Sequence, residues 1–216
     1  MSIVVLFSGG LDSTLLLWEL AKSTKTANND KVYPLFVDYG QHSAEQKAAE
    51  CLWNDLVYDR EPHLRSVHSL AVIRCLHLCG LRIRDPKRKD NSHGDIELIP
   101  ARNTVLAMLG YNYAVGHGAT QVMIGINKDD REAFPDCTPA WVCGVKDMFA
   151  LNNKVLSQDK HIHFRTPYLN IERSQLAFMA DAMGVPTHLC MSCYYPQDDD
   201  TACGKCHSCL KGESHG

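Results

Sequence analysis

Two groups of residues in this 216-residue sequence carry types and spacings suited to chemistry. The first is Ser8-Gly9-Gly10-Leu11-Asp12-Ser13. Two glycines let a backbone turn tightly and aim its N–H groups at one ligand. A helix starting there adds partial positive charge, which favours phosphate. Ser8 and Ser13 supply hydroxyls. Asp12 repels phosphate unless it holds a hydrated Mg²⁺ beside it. The string matches neither the Walker A loop nor the G-x-G-x-x-G fingerprint. Read alone, the Gly-Gly pair is equally a strand-to-helix turn.

The second group is Cys193, Cys203, Cys206 and Cys209, spaced C-x9-C-x2-C-x2-C. Each C-x2-C pair can grip one ion, and four thiolates favour tetrahedral Zn²⁺ in a closed, structural site. Disulfides, an iron–sulfur cluster and free thiols are the alternatives. Cys190 makes a further C-x2-C with Cys193, so spacing alone leaves five cysteines for four places. Five of the ten cysteines lie in the last 27 residues, which sets a tail (189–216) apart from a main domain (1–188). Cys51, Cys75, Cys79 and Cys143 read as buried small apolar residues.

The elements that must position these groups alternate. Residues 2–7 are a short apolar run, expected as a buried strand. Residues 12–22 follow as a helix, with Leu15, Leu16 and Leu20 inward. Residues 32–37 form a second strand. Ser43 and Gln46 have capping-box spacing before a helical stripe from Ala48 to Leu56. Residues 63–68 are a weaker strand. Residues 80–98, with Arg82, Arg84, Lys87, Arg88 and Lys89, read as a long loop. Helices are expected from Arg102 to about Val115, over 136–151, and after Asn170 as a cap. Strands are expected over 121–126 and 161–164. Gly184 and Pro186 close the last helix. Alternating strands and helices predict an α/β fold with a parallel, Rossmann-like sheet flanked by helices.

Lys plus Arg number 22 against 25 Asp plus Glu, a net charge of −3, which argues against a general polyanion binder. No apolar run approaches the roughly 18 residues of a membrane span, and no basic segment precedes the first apolar run. A cytoplasmic protein is the expectation, with thiols and metal in place of disulfides.

The string at 8–13 resembles the signature of the PP-loop ATP pyrophosphatases. Six further strings narrow the resemblance: Asp38-Tyr39-Gly40-Gln41-His42, Pro100-Ala101-Arg102-Asn103, Pro135-Asp136-Cys137, Thr166-Pro167, Ser192-Cys193-Tyr194, and Cys203-Gly204-Lys205-Cys206-His207-Ser208-Cys209. In this order they are similar to the 7-cyano-7-deazaguanine synthase (QueC) family, over about residues 2–210. That resemblance implies a HUP-type ATP-binding fold with a four-cysteine zinc appendage, and favours Cys193 over Cys190. It implies conversion of 7-carboxy-7-deazaguanine and ammonia to the nitrile through an adenylated carboxylate and an amide. ATP, Mg²⁺ and structural Zn²⁺ are the implied cofactors, and a homodimer the implied assembly.

On this reading Phe7, Ser8, Gly9, Gly10, Leu11, Asp12, Ser13 and Thr14, with Asp38 and Gly125, bind the nucleotide. Asp12, Ser13 and Arg102 carry the chemistry, Arg102 neutralising the carboxylate or the α-phosphate. Tyr39, Gln41, Arg102, Asn103, Lys128, Asp129, Phe134 and Asp136 face the substrate. Asp136 suits the two-donor guanine-like edge and equally suits a helix cap. Phe134 suits base stacking and equally a core position. The sequence departs from the family pattern over 129–134, at His42 where Arg is frequent, and at Ala101 where Gly is usual. These departures motivate an alternative: a diverged enzyme that stops at the amide, or passes an activated deazapurine to a nucleic acid or protein. A non-enzymatic zinc module using the basic loop is disfavoured by the net charge and the intact 8–13 loop.

Overall fold

The computed structural model describes residues 2–23, 31–60, 66–75, 99–156 and 161–210. Its centre is β1 (Ser2–Leu6), whose side chains alternate between two layers of helices. Ile3 and Val5 point to a layer built from α1 (Leu11–Ser23), α2 (Ser43–Asn54) and α5 (Arg173–Ala182). Val4 and Leu6 point to a layer built from α3 (Arg102–His117) and α4 (Pro139–Asn153). A strand buried on both faces must be apolar at every position, which is why residues 3–7 show no alternation.

The other strands are β2 (Lys31–Asp38), β3 (Ala71–Arg74), β4 (Gln121–Ile124) and β5 (His163–Arg165). All pair in parallel, in the order β3-β2-β1-β4-β5. The chain winds outward from β1 to β3, then crosses to build β4 and β5 on the other side. This reversal opens a crevice at the carboxyl ends of β1 and β4, the usual ligand site of such sheets. The 8–13 loop lies there, between β1 and α1.

Five expectations need correction. The third strand of the sheet is Ala71–Arg74; of the strand expected at 63–68, residues 63–65 lie outside the described residues, and Val67 makes a single bridge to Val32. An edge strand with alternating half-buried side chains leaves a faint hydrophobic signal. Ser43 and Gln46 do not form a capping box: His42 is the cap of α2, its Nδ1 accepting from Ala44 N at 3.1 Å, while Gln46 bonds Glu50. Asn170 does not cap α5, whose cap is Glu172 in a capping box with Gln175; Asn170 receives Arg131 instead. Cys51 and Cys143 are exposed and Cys75 half-buried. The basic residues at 82–89 and Cys79 lie outside the described residues.

The helix expected over 136–151 is divided. A 3₁₀ turn, Pro135–Cys137, ends at Thr138, whose hydroxyl caps α4 by accepting from Trp141 N at 3.3 Å. The tail then runs back across α2. Met191, Cys193 and Cys206 pack on Ala44 and Ala48, and Lys47 pairs with Asp200 at 2.5 Å. A last helical turn, α6 (His207–Leu210), closes the described chain.

Ala101, the cap of α3, has φ 59° and ψ 21°, a left-handed conformation that costs an L-residue roughly 1–2 kcal/mol. Ala101→Gly removes that strain, with part of the gain lost to a freer unfolded chain. We expect it to stabilise the protein by up to about 1 kcal/mol, a rise of about 2–4 °C on thermal melting. An unchanged melting temperature would show that the turn carries no strain.

Candidate active site and metal centre

Hydrogen bonds within the 8–13 loop hold it in one shape. Ser8 N donates to Ser13 Oγ at 3.2 Å and Gly10 N to Ser8 Oγ at 3.3 Å. The two hydroxyls lie 3.1 Å apart, and Ser13 Oγ donates to Gly10 O at 3.1 Å. Thr14 turns inward, its hydroxyl donating to Gly10 O at 2.8 Å. Gly9 has φ +80°, and a Cβ there would stand 2.8 Å from Ala49 N and 3.0 Å from Glu45 O. The loop is therefore pressed against the first turns of α2. Its far side is fixed by the tail, where Met191 N donates to Gly9 O at 3.0 Å.

Gly125 has a comparable role at the end of β4. A Cβ there would lie 2.9 Å from the Asp12 carbonyl carbon and 3.0 Å from Ser13 N. The absent side chain lets β4 abut the first turn of α1. Gly125→Ala forces those two backbones apart. We expect a loss of about 2 kcal/mol, seen as melting about 4–8 °C lower, together with weaker nucleotide binding. Wild-type stability would mean the two elements separate without cost.

The loop forms one wall of a cleft. Phe7, Ser8, Gly10, Leu11, Asp12, Ser13 and Gly125 line it, with Tyr39, Gln41, Arg102, Asn103 and Phe134 from the substrate-side expectation. Phe134 is also buried in the core. Gln41 braces its own turn, accepting from Tyr39 N and donating to Val37 O, each at 2.8 Å.

Other expected residues lie elsewhere. Gly9 and Thr14 do not line the cleft: Gly9 faces α2 and Thr14 turns its hydroxyl back to Gly10 O. Asp38 accepts from Gly40 N at 3.1 Å and lies 3.8 Å from Arg74 Nε. Asp136 Oδ2 accepts from Asn103 N at 3.0 Å, so this carboxylate caps α3 from outside the helix. Lys128 and Asp129 border a separate groove, Lys128 bonding Glu172 at 2.7 Å and Asp129 accepting from Arg173 N at 2.9 Å.

Sequence reasoning gave no cleft role to several residues that line it, among them Glu45, Asp130, Arg173, Ser192 and Tyr194. Glu45 and Arg173 sit in the first turns of helices entering the crevice, a position that could have flagged them. Buried Asp12 accepts from Asn127 Nδ2 at 2.7 Å and lies 3.8 Å from Arg173 Nη1. Asp130 Oδ2 accepts from Asn127 N at 3.1 Å. Burial works against the charge on Arg102, but Tyr39, Tyr194, Glu45 and Asp136 outweigh it and raise its pKa above the ordinary value. Burial pushes Glu45 up to about 7, with Arg102 pulling the other way.

In the tail, the sulfurs of Cys193, Cys203, Cys206 and Cys209 lie within 4.8 Å of one another, a donor set that could hold a metal ion. Cys203 N donates to Cys193 Sγ, Cys206 N to Cys203 Sγ, and Cys209 N to Cys206 Sγ. Such bonds orient metal-binding thiolates. Cys190 is buried outside this cluster, near Thr14, Asp12 and Arg173, and burial pushes its thiol up to about 11. The fold thus groups Cys193, and not Cys190, with Cys203, Cys206 and Cys209.

A five-stranded parallel sheet with its Gly-Gly loop at the strand-order reversal, and a four-cysteine appendage packed beside it, defines the PP-loop, Rossmann-like class. A solved structure of this class, the U34-tRNA thiolase NcsA from Methanococcus maripaludis with its [4Fe-4S] cluster, covers 98% of the chain at a TM-score of 0.56 and 15% identity, and 70% of that chain is matched. At that identity the likeness is one of fold. The family signature described as "Queuosine biosynthesis protein QueC" matches residues 2–214. The 7-cyano-7-deazaguanine synthase of Cellvibrio japonicus is 33% identical over 95% of this chain and 88% of its own. That of Pelobacter propionicus is 32% identical over 97% and 91%. The chain belongs to the QueC family.

Proposed function

We propose that this protein makes 7-cyano-7-deazaguanine from 7-carboxy-7-deazaguanine, ammonia and ATP, in keeping with the product that the names of its relatives give. The observation that carries this reading is the single cleft joining the 8–13 loop to Arg102. A carboxylate is a poor electrophile at neutral pH. Adenylation gives it a good leaving group, and pyrophosphate is released. Ammonia displaces AMP and leaves the amide. A second adenylation, on the amide oxygen, permits loss of AMP and formation of the nitrile.

The N–H groups of the 8–13 loop and the start of α1 receive the phosphates. Arg102 offers planar donors to the substrate carboxylate or the α-phosphate, holding both anions together. Phe134 and Tyr39 flank the space for the flat base. Asp12 suits Mg²⁺, because a carboxylate at the mouth of a phosphate loop serves no anion by itself; the ion would supply charge neutralisation to the phosphates. In the tail, sulfur separations of 3.4, 3.8 and 3.9 Å fit one ion. A tetrahedron with Zn–S near 2.3 Å would space sulfurs by about 3.8 Å. We therefore assign structural zinc to Cys193, Cys203, Cys206 and Cys209.

The test is mass spectrometry of purified protein with 7-carboxy-7-deazaguanine, Mg-ATP and ammonium. The nitrile is the expected product. A second reading, arrest at the amide or transfer to a macromolecule, is favoured by the unusual 129–134 segment. It forms a 3₁₀ turn (Asp129–Glu132), anchors Arg131 to Leu169 O, and sends Asp130 and Phe134 into the cleft. Amide accumulation, or AMP release without a small-molecule product, would select it.

A further inference from the structure

Three carboxylates line the cleft: Asp12, Asp130 and Glu45. Asp12 and Asp130 are both tied to Asn127, and Asp12 also faces Arg173. Glu45 sits apart from them, on the wall contributed by α2. Its own backbone carbonyl touches the back of the 8–13 loop, 3.0 Å from where a Gly9 Cβ would stand. Its charged neighbour is Arg102 at the head of α3. We propose that Glu45 is the general base that takes the proton from ammonia as it attacks the adenylated carboxylate. This assignment rests on the proposed function.

The step balances as follows. The nitrogen lone pair forms the C–N bond. The bond from the acyl carbon to the phosphate-bearing oxygen breaks, and its electron pair leaves on AMP. One N–H proton moves to a Glu45 oxygen, giving neutral amide and protonated Glu45. A base poised near the working pH is the efficient one, and burial lifts Glu45 from an ordinary 4.5 to about 7. Arg102, from α3, is the charged group that bears on its titration. The other titratable groups of the cleft are Tyr39 from the β2–α2 turn, Tyr194 from the tail, Asp12 and Arg173 across the loop, and Asp130 and Cys137 on the side after β4.

The experiment compares wild type with Glu45→Gln in two assays. ATP–pyrophosphate exchange with 7-carboxy-7-deazaguanine, without ammonia, reports adenylation. Amide formation at a constant concentration of unprotonated ammonia reports the attack. We expect the ratio of amide formation to exchange to fall about 100-fold in E45Q. The wild-type rise of amide formation with pH, centred on a value of about 7, should vanish with it. Equal loss in both assays, or an unchanged ratio, would overturn the assignment. Exchange missing from wild type contradicts the proposed function itself, and is seen before any variant is made.

Melting curves supply an independent reading. The fold favours protonated Glu45, so its contribution to stability is full below pH 4.5 and is lost as pH rises through about 7. Gln stays neutral. E45Q should match wild type in acid and melt higher above pH 7. A variant less stable than wild type above pH 7 would show that the ionised carboxylate stabilises the fold, and would contradict a base held near pH 7.

Discussion

On the proposed zinc assignment, stripping the metal with a chelator, or replacing Cys206 with serine, should lower the melting temperature by about 10 °C or more and weaken nucleotide binding at the same time. The size follows from what the cluster holds. Cys193 and Cys206 are fully buried against Ala44 and Ala48 of α2. An ion binding four thiolates contributes its binding energy directly to folding. The link to nucleotide follows from the chain between metal and loop. Met191, two residues before Cys193, donates to Gly9 O, and Ser192 Oγ lies 3.0 Å from where a Gly10 Cβ would sit. Loosening the tail therefore releases the side of the phosphate loop opposite α2. The dependence on pH has a definite sign. Burial pushes the Cys206 thiol up to about 11, so the ion must displace protons to bind. Metal affinity should fall as pH falls. Calorimetry on metal-stripped protein, with and without zinc, and nucleotide titrations on both forms check this. Unchanged nucleotide affinity without metal would separate the tail from the site.

Arg102→Ala should lower kcat/KM by about 100- to 1000-fold, the cost of removing one aimed charge from a transition state. Arg102 is held at the head of α3 by several features together. Asp136 caps the following N–H, Ala101 accepts a left-handed turn, and Tyr39, Tyr194 and Glu45 surround the guanidinium. Lysine offers one point charge in place of a planar fork, so Arg102→Lys should recover only part of the loss. A second readout distinguishes a charge effect from general damage. Arg102 lowers the pKa of Glu45, so its removal should shift the acid limb of amide formation to higher pH. Steady-state kinetics across pH would show both effects. An unmoved limb would place Arg102 too far from Glu45 to be felt.

The parts of this site legible in the sequence are those whose signal is local. A buried strand, two glycines and a helix start specify the phosphate loop without distant information. The cysteine spacing does the same for a four-sulfur cluster able to hold a metal, although only the fold sets Cys190 apart from Cys193. What escaped was set by tertiary packing. His42 displaces Ser43 as the cap of α2 because its ring reaches Ala44 N, and Asp200 of the tail lies 3.9 Å from that ring. Glu172 displaces Asn170 because Asn170 is engaged by Arg131. Glu45 lies between Ser43 and Gln46, a segment read only for its capping-box spacing. Its place in the cleft depends on Gly9 allowing α2 to approach the loop, a contact between segments about 36 residues apart that no periodicity reports.

The central claim is adenylation of the substrate carboxylate, and oxygen labelling tests it most directly. The protein would be given 7-carboxy-7-deazaguanine carrying ¹⁸O in both carboxyl oxygens, with ATP and ammonium, and the phosphorus products weighed. Each carboxyl oxygen should leave on a molecule of AMP, with pyrophosphate unlabelled. Label in orthophosphate with ADP as the second product, or AMP free of label, would contradict the account.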